Sequence, residues 1–136
     1  MSRYTAIIDG NAGCYGVVIP DLPGCTAMGS SMEQAIAHAA DAMRDWAELT
    51  AERGHALPLP RALEVLRRDP DVLEALGAGA SLASIPLIMA TGKPAKANLS
   101  IDAGILAAID SEASRRNLTR SSFIELMAKY ALPEMA

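Results

Sequence analysis

The chain is short of the residues from which metal and thiol chemistry is built. Two cysteines, Cys14 and Cys25, and two histidines, His38 and His55, stand among 136 residues. Their separations match no zinc-binding spacing, so structural cysteines, surface histidines and no bound metal are expected. No uninterrupted apolar run is long enough to span a bilayer. The richest, residues 78–90, is broken by Gly79, Ser81, Ser84 and Pro86. Residues 3–10 are too short an apolar stretch for a secretory signal and lack its tripartite pattern. The expectation is a cytoplasmic protein with reduced thiols and no membrane association. No phosphate-binding glycine loop and no Ser/His/Asp set is visible, and no cofactor is expected. The single tryptophan, Trp46, falls at helical core spacing, which favours packing over a binding platform.

Half of the residues are hydrophobic (51%), so most of the chain is expected to fold. The length suits one ordinary domain or two small ones. The formal charge of −4 is unevenly spread. Residues 1–92 carry six Lys/Arg against eleven Asp/Glu, a net −5, whereas residues 93–136 carry six against five, a net +1. The first part is poorly suited to nucleic acid; the second is permissive.

From its start the chain alternates. In residues 3–9, Tyr4, Ala6 and Ile8 share one side of a strand, and Gly10-Asn11-Ala12-Gly13 has turn chemistry. Residues 14–20 read as a second strand forming a hairpin with the first. Asp21-Leu22-Pro23-Gly24 turns the chain, and residues 25–29 add a short third strand. Ser30 or Ser31 caps a long helix starting at Met32, with Glu33 in its first turn. Met32, Ala35, Ile36, Ala39, Met43, Trp46 and Ala47 make its buried stripe, and Gly54 ends it. Two strands, the Ile19-Pro20-Asp21-Leu22-Pro23-Gly24-Cys25 turn and an amphipathic helix carrying Met32-Glu33-Gln34-Ala35 resemble the N-terminal domain of HicB-type antitoxins over residues 4–60. The resemblance implies a ββ(β)αβ domain of partial ribonuclease-H-like fold. It also implies a partner, a small HicA-type toxin that cleaves mRNA.

Leu57-Pro58-Leu59-Pro60 is a rigid connector. Residues 62–68 suit a short helix, and Pro70 suits the first turn of another, in which Val72, Leu73 and Leu76 are apolar. This helical insertion departs from the plain family pattern. Residues 84–89 are expected to complete the sheet, with Pro86 tolerated only at an edge or bulge. The resulting division is a domain at 1–90, a linker at 91–95 and a second domain at 96–136.

In the last third, Lys96-Ala97-Asn98-Leu99-Ser100-Ile101 alternates polar and apolar, the period of a strand. Asp102 stands at a helix N-cap, and Ile105, Leu106, Ile109 and Ala113 follow at helical spacing. Arg115, Arg116 and Asn117 close this helix. Thr119 caps a second one, with Phe123, Ile124, Met127, Ala128 and Ala131 as its stripe. A lone strand has nothing to pair with, and the economical solution is two chains pairing across a two-fold axis. This segment resembles a ribbon-helix-helix DNA-binding domain, one of the two DNA-binding tails of the HicB family. On that reading Leu99, Ile101, Ile105, Ile109, Phe123, Ile124 and Met127 form the dimer core. Lys96, Asn98 and Ser100 face the DNA major groove, while Thr119, Arg120 and Ser121 meet phosphate.

Asp9 and Asp21 are the acids closest to a ribonuclease-H-like arrangement, but no third acid falls beside them. Glu33, Asp41 and Asp45 read as the solvated face of the long helix, so no enzymatic activity is expected. The expectation is an α+β antitoxin that neutralises a HicA-type toxin and represses its own operon as a dimer on operator DNA. Assembly beyond the dimer and the toxin-facing residues are left open. The alternative is a ribbon-helix-helix regulator whose N-terminal domain senses a small molecule; a nuclease ranks last.

Overall fold

The computed structural model describes residues 1–135. Two compact units divide the chain: Met1–Met89 with the last residues from Pro133, and Ala90–Leu132.

The first unit is built on a four-stranded antiparallel sheet. Strand β1 (Arg3–Asn11) and β2 (Cys14–Val18) form the expected hairpin, joined through Ala12-Gly13 with Asn11 opposite Cys14. Gly13, in the connection, and Gly10, in the ladder opposite Tyr15, take positive φ angles of 92° and 110°, which glycine adopts without strain. Strand β3 (Thr26–Gly29) pairs with β2, and β4 (Ser81–Pro86) with β1, giving the order β3-β2-β1-β4. The face bearing Tyr4, Ala6, Ile8, Val17 and Ile85 is buried, as the period of two requires.

Helix α1 (Met32–Glu52) covers that face. Ser31 caps it, its hydroxyl accepting the Gln34 N–H at 3.1 Å. The reciprocal partner is Gln34 rather than an acid, since its Oε1 accepts from the Ser30 N–H at 2.7 Å. Ala35, Ala39, Ala40, Met43 and Ala47 are buried, so the helix packs largely through alanines and comes close to the sheet. At Gly29 there is no room for a side chain: a Cβ there would lie 2.4 Å from the Ala35 nitrogen. Met32, expected in the stripe, is exposed at the helix start. Trp46 is half-buried, and its Nε1 donates to the Pro23 carbonyl at 2.9 Å. Each large core side chain contributes about 1.5–3 kcal/mol by leaving water.

The insertion forms two helices, α2 (Leu63–Leu66) and α3 (Pro70–Gly77). Asp69 caps α3 by accepting the Asp71 N–H at 2.9 Å, and Pro70 occupies the first turn, where its missing N–H costs nothing. Leu66 and Val72 are fully buried. The strand after them starts earlier than the expected 84–89. Gly79, at φ 99°, reverses the chain directly after α3, and pairing with β1 begins at Ser81 opposite Ile8. Pro86 ends the ladder on this edge strand, and Leu87 N–H adds a last bond to the Ser2 carbonyl at 2.9 Å.

The second unit is a pair of helices, α4 (Ala103–Arg115) and α5 (Arg120–Ala131). Asp102 caps α4 through the N–H groups of Gly104 (2.8 Å) and Ile105 (3.1 Å). Asn117 makes the left-handed exit at φ 56°, as Asn can. Thr119 caps α5, its hydroxyl accepting the Ser122 N–H at 3.1 Å.

Candidate nucleic-acid and partner interfaces

Residues 96–101 form no strand in the single chain. A two-stranded ribbon needs a second backbone, and the second unit has no strand of its own to supply one. Lys96, Asn98 and Ser100 are exposed. The apolar residues between them are not covered either. Leu99 is 65% exposed, and Ile105, in the first turn of α4, 58%. Ile101, Ile109, Ile124 and Met127 are half-buried. Of the seven expected dimer-core residues, only Phe123 is buried. One copy of this unit therefore leaves much of its apolar stripe in water.

The expected phosphate-facing residues sit together at the start of α5. Thr119 and Ser121 are exposed there, and the Thr119 hydroxyl also donates to Ser122 Oγ at 2.9 Å. Arg120 is engaged: its Nε and Nη2 donate to Asp110 Oδ1 and Oδ2, each at 2.8 Å. This bond holds the Asp110 carboxyl below the usual carboxylate range. At the end of α4, Glu112 accepts from Arg115 and from Arg116 Nε, the latter at 2.8 Å. Its pKa is pulled down to about 2, Arg115 being the larger cause and Arg116 the next. Arg116 also lies 5.8 Å from the centre of the Phe123 ring. Sequence spacing gave no sign of the Asp110–Arg120 pair, because the partners are ten positions apart across the turn between helices.

In the first unit the acids divide by role. Asp21 is buried in the turn after β2 and accepts from the Arg61 N–H at 2.8 Å and Nε at 2.5 Å. Arg61 also donates through Nη1 to Asp69 at 3.1 Å. That hydrogen bond is the first cause of the lowered Asp69 pKa. Asp21 thus fastens the start of the insertion to the turn after β2. Burial raises the Tyr4 pKa, with Asp21 as the lesser cause, and the Tyr4 hydroxyl donates to the Pro58 carbonyl at 2.7 Å. Glu33, Asp41, Asp45, Glu48 and Glu52 are exposed on α1, where Asp41 pairs with Arg44. Among the described residues, no group of three or more His, Cys, Asp or Glu is placed to hold a metal ion. His38 is exposed, its Nδ1 2.6 Å from the Met28 carbonyl on the edge strand. Cys14 is exposed and Cys25 buried, both free thiols; burial, then Asp45, raises the Cys25 pKa. No helix among the described residues is long and apolar enough to cross a membrane. On the outward sheet face, Val18 and Met28 are exposed apolar side chains beyond the sequence reading.

The family profile of the HicB-like antitoxin of bacterial toxin–antitoxin systems matches residues 4–128, across both units. The chain belongs to the HicB-like antitoxin family. The crystal structure of the Burkholderia pseudomallei antitoxin HicB is similar over 97% of this chain and 99% of that one, at 28% identity and a TM-score of 0.57. The N-terminal domain of the Burkholderia pseudomallei HicB covers 63% of this chain and is itself covered to 98%, at 24% identity and a TM-score of 0.51. The antitoxin HicB3 structure shares the fold over 96% of this chain and 97% of its own, at 24% identity and a TM-score of 0.54. No curated protein matches the chain significantly. The sheet and helices match HicB antitoxin structures, and membership of the HicB-like family supports an antitoxin role.

Proposed function

We propose that this chain neutralises a HicA-type, mRNA-cleaving toxin and represses its own operon by binding operator DNA as a homodimer. On this reading the first unit is a partial ribonuclease-H-like fold that has become a docking platform. The second is a ribbon-helix-helix module. The observation that carries the proposal is the family match, which runs unbroken through both units at residues 4–128. Two further features support it. The first 92 residues hold a net −5, which complements a basic RNA-binding partner. Residues 96–101 alternate polar and apolar but have no strand to pair with, and Leu99 and Ile105 stand uncovered beside them. A second chain would supply the missing ladder and cover these side chains. It would also set Lys96, Asn98 and Ser100 twice on one ribbon face, so the operator would be an inverted repeat. Co-expression with the HicA-type toxin of the same operon tests the toxin half. Co-purification in a fixed ratio is expected, and separate elution of two folded proteins would count against it.

A further inference from the structure

The three arginines of the second unit are all held by carboxylates of that unit. Glu112 takes Arg115 and Arg116, and Asp110 takes Arg120. Among the described residues no salt bridge engages Lys93, Lys96 or Lys129. Arg120 is the arginine that stands at the first residue of α5, beside the Thr119 cap. A cation there is misplaced by itself, because the N-terminal end of a helix is positive and favours anions. Asp110 reaches across from α4 and sets a carboxylate against this guanidinium through two parallel bonds, both 2.8 Å. The same two-pronged geometry is how arginine grips a phosphate. Asp110 therefore occupies the Nε/Nη2 side of Arg120, one of the two sides by which it could grip a DNA phosphate, and offsets its charge. With Arg120 beside it, the carboxylate stays ionised at neutral pH.

We propose that Asp110 is an internal competitor of DNA phosphate for Arg120, and that it restrains binding to DNA of arbitrary sequence. The inference rests on the DNA-binding reading of the second unit. Phosphate contacts add affinity at every site alike, whereas base contacts discriminate. Restraining one arginine per chain lowers the sequence-independent affinity and leaves base reading by Lys96, Asn98 and Ser100 in place. The ratio of specific to non-specific binding, which decides occupancy in a genome, is preserved at lower overall stickiness.

The test is fluorescence anisotropy of the full chain on a random-sequence duplex of about three helical turns, over a salt series at neutral pH. Asp110→Asn, Asp110→Ala, Arg120→Gln and the double variant Asp110→Ala/Arg120→Gln are compared with the parent. Both Asp110 variants should bind this duplex more tightly. Their slope of log K against log salt should steepen by about 0.9 for each phosphate gained. The double variant should lose that gain. Alanine is the best helix former and asparagine is isosteric, so at least one variant tests the idea if the other fails to fold by circular dichroism. Unchanged or weaker binding by a folded Asp110 variant would overturn the proposal. So would a gain that survives in the double variant, since the lost charge would then act without Arg120. A parent chain that binds neither this duplex nor its own promoter DNA removes the DNA-binding reading itself, and the inference with it. A parent that binds normally beside indifferent Asp110 variants removes the inference alone.

Discussion

Asp21 and Arg61, forty positions apart, are joined twice: the buried carboxylate accepts both the backbone N–H and the Nε of the arginine. The turn after β2 is thereby tied to the start of the helical insertion. Asp21→Asn keeps the shape, removes the charge and turns one acceptor into a donor facing an N–H. Hydrogen bonds to charged groups contribute roughly 1.5–3 kcal/mol, so a loss on the order of 2 kcal/mol is expected. A urea titration should show a lower midpoint with an unchanged slope. An unchanged midpoint would mean that the pair does not hold the insertion.

Much of the first unit was legible because its signals are local. Tyr4, Ala6 and Ile8 alternate within seven residues, Ser31 lies next to the helix it caps, and Pro70 announces the turn it begins. What needed the structure is non-local. The start of β4 is set by pairing with β1 across more than seventy residues, and the stretch after Gly79 carries no strong alternation of its own. The pairing of Asp21 with Arg61 is likewise invisible in the sequence, since the partners lie forty positions apart. The caps of the second unit, Asp102 and Thr119, were equally readable, since a cap is an interaction over two or three residues. The engagement of Arg120 by Asp110 was not, because it depends on how two helices meet.

Acid weakens the second unit through Glu112. The Glu112 pKa is about 2 in the folded chain, below its ordinary 4.5, because Arg115 and Arg116 favour the ionised form. A lowered carboxyl pKa contributes stability that is complete above the ordinary value and is lost as pH falls through the folded one. Nuclear magnetic resonance titration of the Glu112 carboxyl should find a midpoint near 2, rising toward the ordinary 4.5 in Arg115→Gln/Arg116→Gln. An ordinary midpoint in the parent would show that these exposed pairs are not formed in solution.

Dimerisation should depend on residues 96–101. Leu99→Pro removes a backbone donor from the proposed ribbon and an apolar side chain from its core together. The parent is expected to scatter light as a dimer at micromolar concentration and the variant as a monomer. A variant that stays dimeric would place the dimer interface elsewhere.

Base reading is assigned to exposed side chains of the same segment. Asn98 can bond an adenine edge in two places, so Asn98→Ala should cost on the order of 1–3 kcal/mol per lost contact and relax sequence preference. The Lys96→Ala/Asn98→Ala/Ser100→Ala variant should lose preference for promoter DNA over random DNA while remaining a dimer. Retained preference in a gel shift would move the reading face off residues 96–100.

The most direct measurement is RNA cleavage by the HicA-type toxin of the same operon, titrated with the full chain. The account predicts that cleavage falls in proportion to added chain and vanishes near stoichiometric equivalence. Undiminished cleavage in the presence of excess folded chain would contradict it.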